Sequence, residues 1–194
     1  MHDETVDRTT NGTGRVNQMT YDKIAELDAG EGEIVPTLEE VIDLCRGKCR
    51  LNVEIKGTAA AKRAAEIIKE KGFVKDVLVQ SNYIESLLAA KKVDKNIETA
   101  LLYWAAKSGF GQRLVIILSL ILLPLTKMLI KSRAKKAQVA QVSINYYLAT
   151  SRMIQSLQKA GLKINVWTVN EPDKIKKFKD LKVDGIISNY PDRI

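Results

Sequence analysis

The sequence is poor in several residue types, and each shortage narrows what the chain can be. Two cysteines in 194 residues cannot staple a fold, so a disulfide scaffold is excluded. Cys45 and Cys49 stand four apart, the spacing of one helix face. They read as reduced thiols, and a metal site comes a poor second because a lone pair lacks partner ligands. A single histidine, His2, leaves one side chain whose ordinary pKa suits proton transfer near neutral pH. The start, Met1-His2-Asp3-Glu4, is charged and carries no secretory signal pattern, which predicts a cytoplasmic protein. Acidic residues are absent altogether between Thr99 and Asn170, a span that holds ten basic ones. The rest of the chain carries twenty-one basic against twenty-three acidic residues, so the whole net charge of +8 comes from that one span. A local excess points to a local anionic partner more than to general nucleic-acid affinity, and no nucleic-acid motif accompanies it.

What is present is the patterning of a globular α/β domain. Hydrophobic residues make up 45% and charged residues 28%, enough apolar content for a core and too much for disorder. Residues 2–30 are polar and turn-rich, with Asn11-Gly12 and Thr13-Gly14, and read as a loop. Thr37 stands as the N-cap of a following helix, with Glu40 as capping-box partner. From there strands alternate with helices. The pattern predicts strands at Leu51–Lys56, Val77–Ser81, Ile97–Tyr103, Val139–Asn145, Lys163–Val169 and Gly185–Ser188. It predicts helices at Ala59–Lys71, Ile84–Lys92, Thr150–Ala160 and Pro172–Leu181. Such alternation means βαβ units and a parallel sheet, in a single domain over 1–194.

One stretch breaks the rhythm. Leu114–Ile130 is almost wholly apolar, holds Pro124 and Lys127, and is flanked by Arg113, Lys131, Arg133, Lys135 and Lys136. It is short of the roughly 20 apolar residues a spanning helix needs. Two readings stand beside that span: a monotopic or re-entrant anchor on an anionic membrane surface, and an ordinary buried barrel helix.

Two charged residues interrupt an otherwise apolar strand. Glu54 and Lys56 are two apart, so they project from the same side. At the carboxyl end of a barrel strand such a pair reads as a site: a carboxylate suits a hard divalent cation and an ammonium suits a phosphate. The plain alternative is an exposed salt bridge at a strand end. Trp167 lies near the end of a later strand, where core packing is its commoner use.

Taken in order, the motifs resemble the glycerophosphodiester phosphodiesterase family. They are the run from His2 to Gly14, Leu27-Asp28-Ala29-Gly30, and Ile34-Val35-Pro36-Thr37-Leu38-Glu39-Glu40-Val41. Asn52-Val53-Glu54-Ile55-Lys56, Val166-Trp167-Thr168-Val169-Asn170 and Asp184-Gly185-Ile186-Ile187-Ser188-Asn189-Tyr190-Pro191-Asp192 complete the set. The resemblance covers residues 2–103 and 137–192 and leaves 108–137 as an apolar, basic insertion. It implies a TIM (β/α)8-type barrel that hydrolyses glycerophosphodiesters to glycerol 3-phosphate and an alcohol, with Ca or Mg as the divalent metal. By the same resemblance His2 is the second of two catalytic histidines. Glu54 is a metal-ligand carboxylate, Lys56 contacts the phosphate, and Trp167 lines the substrate pocket.

The expected substrate is a glycerophosphodiester or a lysophospholipid, met at a membrane surface through residues 113–136. The family's pattern opens with a strand bearing His-Arg-Gly and another bearing Glu-x-Asp. Neither precedes His2, so the barrel is expected to be incomplete, lacking its first two strands, with Met1 as an internal methionine of a longer enzyme. That predicts weak or no hydrolysis by the chain alone. The alternative is a non-catalytic remnant that binds a membrane or a partner through the insertion.

Overall fold

The computed structural model describes residues 2–103, 117–119 and 121–194. They fall into two compact units, Met1–Lys48 and Cys49–Ile194.

The first unit is built from turns closed by hydrogen bonds. Val6 is fully buried and anchors them: its N–H donates to the Gly14 carbonyl (3.0 Å), and its own carbonyl accepts from the Thr10 hydroxyl (2.9 Å). An antiparallel bridge joins Thr5 to Arg15. The expected loop also contains a short helix, α1 (Tyr21–Ala25), with Thr20 as its N-cap. At five residues it is too short to show an apolar period, which is why the pattern read as loop. Asp28 organises the next turn, its carboxylate accepting from the backbone of Gly30 (2.7 Å) and Gly32 (3.1 Å). Both glycines have positive φ, where a β-carbon is strained. Helix α2 (Leu38–Cys45) opens with the expected capping box: the Thr37 hydroxyl accepts from the Glu40 N–H, and the Glu40 carboxylate accepts from the Thr37 N–H. The Thr37 N–H first, and then the Thr37 hydroxyl, which also donates to the Glu40 carboxylate at 2.9 Å, hold that carboxyl below the usual carboxylate range.

The second unit is a six-stranded parallel sheet in sequential order. Its strands are β1 (Leu51–Glu54), β2 (Val77–Ser81), β3 (Glu98–Tyr103), β4 (Gln141–Asn145), β5 (Lys163–Trp167) and β6 (Gly185–Ile186). All six lie within the predicted ranges; β2 matches its range, β3 is one residue shorter, and the other four are two residues shorter. Each parallel neighbour needs a crossover, and helices supply it. They are α3 (Thr58–Glu70), α4 (Ile84–Val93), α5 (Leu123–Lys136), α6 (Ser151–Gln158) and α7 (Pro172–Asp180). Crossovers of one hand in an order that never reverses place every helix on the same face. A twisted sheet covered on one face only curls, and the result is a partial barrel.

The core lies between strands and helices. Leu101, Val142, Ile144, Ile164 and Val166 point outward from the sheet and meet Met153, Ile154, Leu157, Ile175 and Phe178. Each such side chain, fully buried, contributes about 1.5–3 kcal/mol of transfer free energy.

Helix α5 forms the second half of the apolar stretch. Its inner stripe, Thr126, Ile130 and Ala134, is buried, and Ile130 and Ala134 belong to the main core. The helix occupies the obligatory crossover between β3 and β4, the place of an ordinary barrel helix. No helix among the described residues is long and apolar enough to cross a membrane. The remainder of the stretch lies outside the described residues.

The core role of α5 has a direct consequence for stability. Ile130→Ala should cost about 2–5 kcal/mol, the range for emptying a buried aliphatic site. Met128→Ala, two residues earlier on the outer side and 63% exposed, should change stability by less than about 0.5 kcal/mol. Urea midpoints of the two variants check this; equal shifts would contradict the assignment of the inner stripe.

Candidate active site

Side chains alternate across a sheet, so the register fixes which residues share the concave face. Glu54 pairs with Gln80, Gln80 with Ala100, Ser143 with Asn165 and Asn145 with Trp167. Asn52, Glu54, Gln80, Ser143, Asn145, Asn165 and Trp167 therefore face the side opposite the helices. Beyond β1 the extended pairing continues for one residue, the Ile55 N–H donating to the Gln80 carbonyl at 2.8 Å. Ile55 is buried while Glu54 and Lys56 are exposed on either side of it. Glu54 thus stands on this face by register, and Lys56 follows two residues later, past the end of β1. Trp167 joins the same face at the carboxyl end of β5.

Three details stiffen this face. Ser81, fully buried, donates its hydroxyl to the Ile55 carbonyl (2.6 Å) and accepts from the Tyr83 N–H (3.1 Å), tying the ends of β1 and β2 together. The Asn165 amide donates to the Ser143 hydroxyl at 3.3 Å. Gly185 leaves room for that amide, because a β-carbon there would run into the Asn165 side chain. After β5, the Asn170 side-chain oxygen accepts from the Asn189 N–H (3.0 Å) and the Ser188 hydroxyl (3.3 Å), fixing the two following loops to each other.

An aromatic pair flanks Trp167. The Tyr146 N–H donates to the Trp167 carbonyl at 2.8 Å, and the rings of Tyr146 and Tyr147 lie 4.0 Å apart between centroids. The Lys174 ammonium sits 4.4 Å over the Tyr146 ring and bonds the Glu171 carboxylate at 2.9 Å. Burial first, and then Tyr147, push the Tyr146 hydroxyl above its usual range, so it stays protonated. Lys174 draws the Glu171 carboxyl down.

His2 lies in the first unit. Its Nδ1 is 2.7 Å from one carboxylate oxygen of Asp3, and the Arg8 guanidinium donates to the other at 2.6 Å. A carboxylate so placed orients an imidazole and fixes which ring nitrogen faces it. Arg8 first, and His2 second, hold the Asp3 carboxyl well below the usual carboxylate range.

Gln80, Ser143, Asn145 and Asn165 escaped the sequence reading. Their signal was there: each is a polar residue at an alternate position of an apolar strand, as in VLVQS, QVSIN and KINVW. Gln80 is 6% exposed, and its amide oxygen has no hydrogen-bond partner among the described residues.

The family model for the glycerophosphoryl diester phosphodiesterase family matches residues 1–193. The chain belongs to this family. The glycerophosphodiester phosphodiesterase of Caldanaerobacter subterraneus subsp. tengcongensis is 30% identical over 209 residues, covering 100% of this chain and 77% of its own. That of Bacillus altitudinis is 28% identical over 207 residues, with 100% and 77% covered. Solved structures agree in fold. A phosphodiesterase of Oleispira antarctica in complex with the product sn-glycerol-3-phosphate superposes with a TM-score of 0.80 at 22% identity, over 100% of this chain and 76% of that one. The glycerophosphodiester phosphodiesterase of Agrobacterium tumefaciens str. C58 gives 0.73 at 26% identity, over 100% and 78%. The (β/α) barrel type expected from the resemblance is the fold of this family.

The glycerophosphoryl diester phosphodiesterase family generally depends on a divalent metal. Among the described residues no group of three or more His, Cys, Asp or Glu side chains could hold one. What the sheet offers is a pair of hard oxygen donors on adjacent strands, the Glu54 carboxylate and the unpartnered Gln80 amide oxygen beside it in register. Oxygen donors of this kind suit Ca or Mg, and Mg commonly uses one or two carboxylates together with substrate phosphate and water.

The Asp3 contacts set a pH dependence with a definite sign. A carboxyl depressed on folding contributes stability above its unfolded value, near 3.9, and loses it as pH falls through the folded value. Asp3 should therefore remain ionised across the range in which an ordinary aspartate titrates. Carbon NMR of the side-chain carboxyls should show Asp3 titrating last, in strong acid. In Arg8→Ala it should move back toward the ordinary range; no movement would contradict the assigned cause.

Proposed function

We propose that this chain hydrolyses glycerophosphodiesters to glycerol 3-phosphate and an alcohol, in lipid metabolism. The observation that supports the reading, beside family membership, is that Glu54 and Trp167 share the concave face at the carboxyl ends of β1 and β5, with Lys56 exposed two residues after Glu54. Carboxyl ends of barrel strands are where such enzymes place their chemistry. Substrates include lysophospholipids, whose headgroup is the same diester.

The residues take separate roles. Lys56 supplies a point charge to the phosphate, and its flexible stem lets it follow the oxygens. Trp167 offers an apolar wall to the glycerol carbons, with the Tyr146–Tyr147 pair behind its backbone. His2, oriented by Asp3, moves a proton to or from an alcohol oxygen. Glu54, with Gln80 beside it, would hold Ca or Mg. A bound cation supplies neutralisation of the charge that builds on the phosphoryl oxygens. The other partner on this reading is an anionic membrane surface reached through residues 113–136, since the substrates derive from lipids.

The test is hydrolysis of glycerophosphocholine by the purified chain, read as release of glycerol 3-phosphate. Activity should vanish with a chelator and return with Ca or Mg. His2→Asn should lower kcat by about 10²–10⁴-fold, the usual contribution of a positioned acid or base. Lys56→Met should cost about 1.5–3 kcal/mol in kcat/KM, the range for a bond to a charged group. Hydrolysis that survives Glu54→Gln, Lys56→Met and the chelator unchanged would overturn the reading.

A further inference from the structure

Helix α5 has two apolar stripes. Thr126, Ile130 and Ala134 face the core at intervals of four. Leu125, Met128 and Leu129 lie on its other side, Leu118 and Ile121 stand just before the helix, and all five are 45–69% exposed. A helix packed on one side of a core needs only one apolar stripe. Here the outer stripe also meets solvent, and clustered exposed apolar side chains mark an interaction site.

Between the two stripes runs a cationic row. Lys127, Lys131 and Lys135 lie on the flank of α5 toward α6, and Arg152 and Lys159 answer them from α6 and its end. Lys131 reaches across to the Ser156 hydroxyl at 3.2 Å. A groove of about 420 Å³ lies between the helices, lined by Lys127, Lys131, Arg152 and Lys159 with Gln155 and Ser156. None of these cations has an ion-pair partner among the described residues, as expected of a span with no acid.

We propose that the outer face of α5, together with the α5–α6 cationic groove, is a docking surface for an anionic lipid bilayer. An apolar stripe edged by lysines and arginines, with no acid nearby, is the pattern of a helix that lies in the interface plane. The stripe is aliphatic and methionine only, without the aromatic anchors that mark the centre of a protein–protein patch. Lipid needs apolarity and positive charge, and both are supplied. The helix does not leave the protein to do this, because Ile130 and Ala134 hold its inner side in the core.

The placement also has a direction. Tyr103, the last residue of β3, lines a second hollow of about 460 Å³ together with Leu118, Leu122, Leu125 and Leu129. The apolar end of α5 is therefore the end at the strands' carboxyl termini, the edge that carries Glu54, Lys56 and Trp167. Docking would bring that edge to the lipid surface. The docking stands on geometry and charge alone; its use in delivering a lipid-derived diester rests on the hydrolysis reading.

Co-sedimentation of the full chain with vesicles tests the surface without recourse to activity. Vesicles of equal phosphatidylglycerol and phosphatidylcholine should bind the chain, and pure phosphatidylcholine should bind it far less. Each cation near an anionic surface is worth about fivefold in partition, so Lys127→Gln with Arg152→Gln should weaken binding about twenty-five-fold. Leu125→Ser with Met128→Ser should weaken it as well, and both positions are exposed enough to leave the fold intact by circular dichroism. Binding should fall as salt rises through the screening range. Equal binding to both vesicle types, binding unchanged in either double variant, or binding to an acidic polypeptide in place of vesicles would overturn the proposal. Loss of hydrolysis with vesicle binding intact would count against the hydrolysis reading alone.

Discussion

The alternation of side chains along six parallel strands organises the second unit. Every second residue points to the helices, and most of these are Val, Ile or Leu, among them Val79, Leu101, Val142, Ile144, Ile164 and Val166. Their neighbours point the other way and are polar at the positions that matter: Glu54, Gln80, Ser143, Asn145 and Asn165. A slip of one residue in any strand would exchange the two sets, burying Glu54 or Gln80 against helices and exposing the core. The same constraint therefore makes the core and aligns the candidate site. Small devices then set the strand ends: Ser81 bridging β1 and β2, and Gly185 yielding space to Asn165.

Much of this was legible in the sequence, for reasons that can be named. The strands are short apolar runs between turn signals, and the helices between them carry periodic faces and glycine stops, so type and order followed from period alone. Glu54 and Lys56 announced themselves by spacing, since two residues apart on a strand means one side. The polar residues within strands were harder. Ser143 and Asn165 lie inside apolar runs, and only the register shows that they lie side by side and bond. Helix α1 was invisible because five residues hold too little pattern, and its N-cap Thr20 is one threonine among many.

The apolar stretch shows where sequence reading divides. A run that is hydrophobic on every side is compatible with a core helix and with a lipid-facing one, and periodicity cannot separate them. The structure shows that α5 is both buried and exposed. Its inner stripe closes the β3–β4 crossover, and its outer stripe stands open beside a row of lysines. Deleting the segment to test for lipid binding would remove Ile130 and Ala134 from the core, so only substitutions on the outer face separate the two roles.

The central claim is that the concave face at the strands' carboxyl ends receives the phosphate ester. Titration of the isotope-labelled chain with glycerol 3-phosphate, followed by amide and indole NMR shifts, tests it most directly. The account predicts saturable shifts at the Trp167 indole and at the backbone of Glu54 and Lys56. Shifts confined to Lys127, Lys131 and Arg152 in the α5–α6 groove, with none at Trp167, would contradict it.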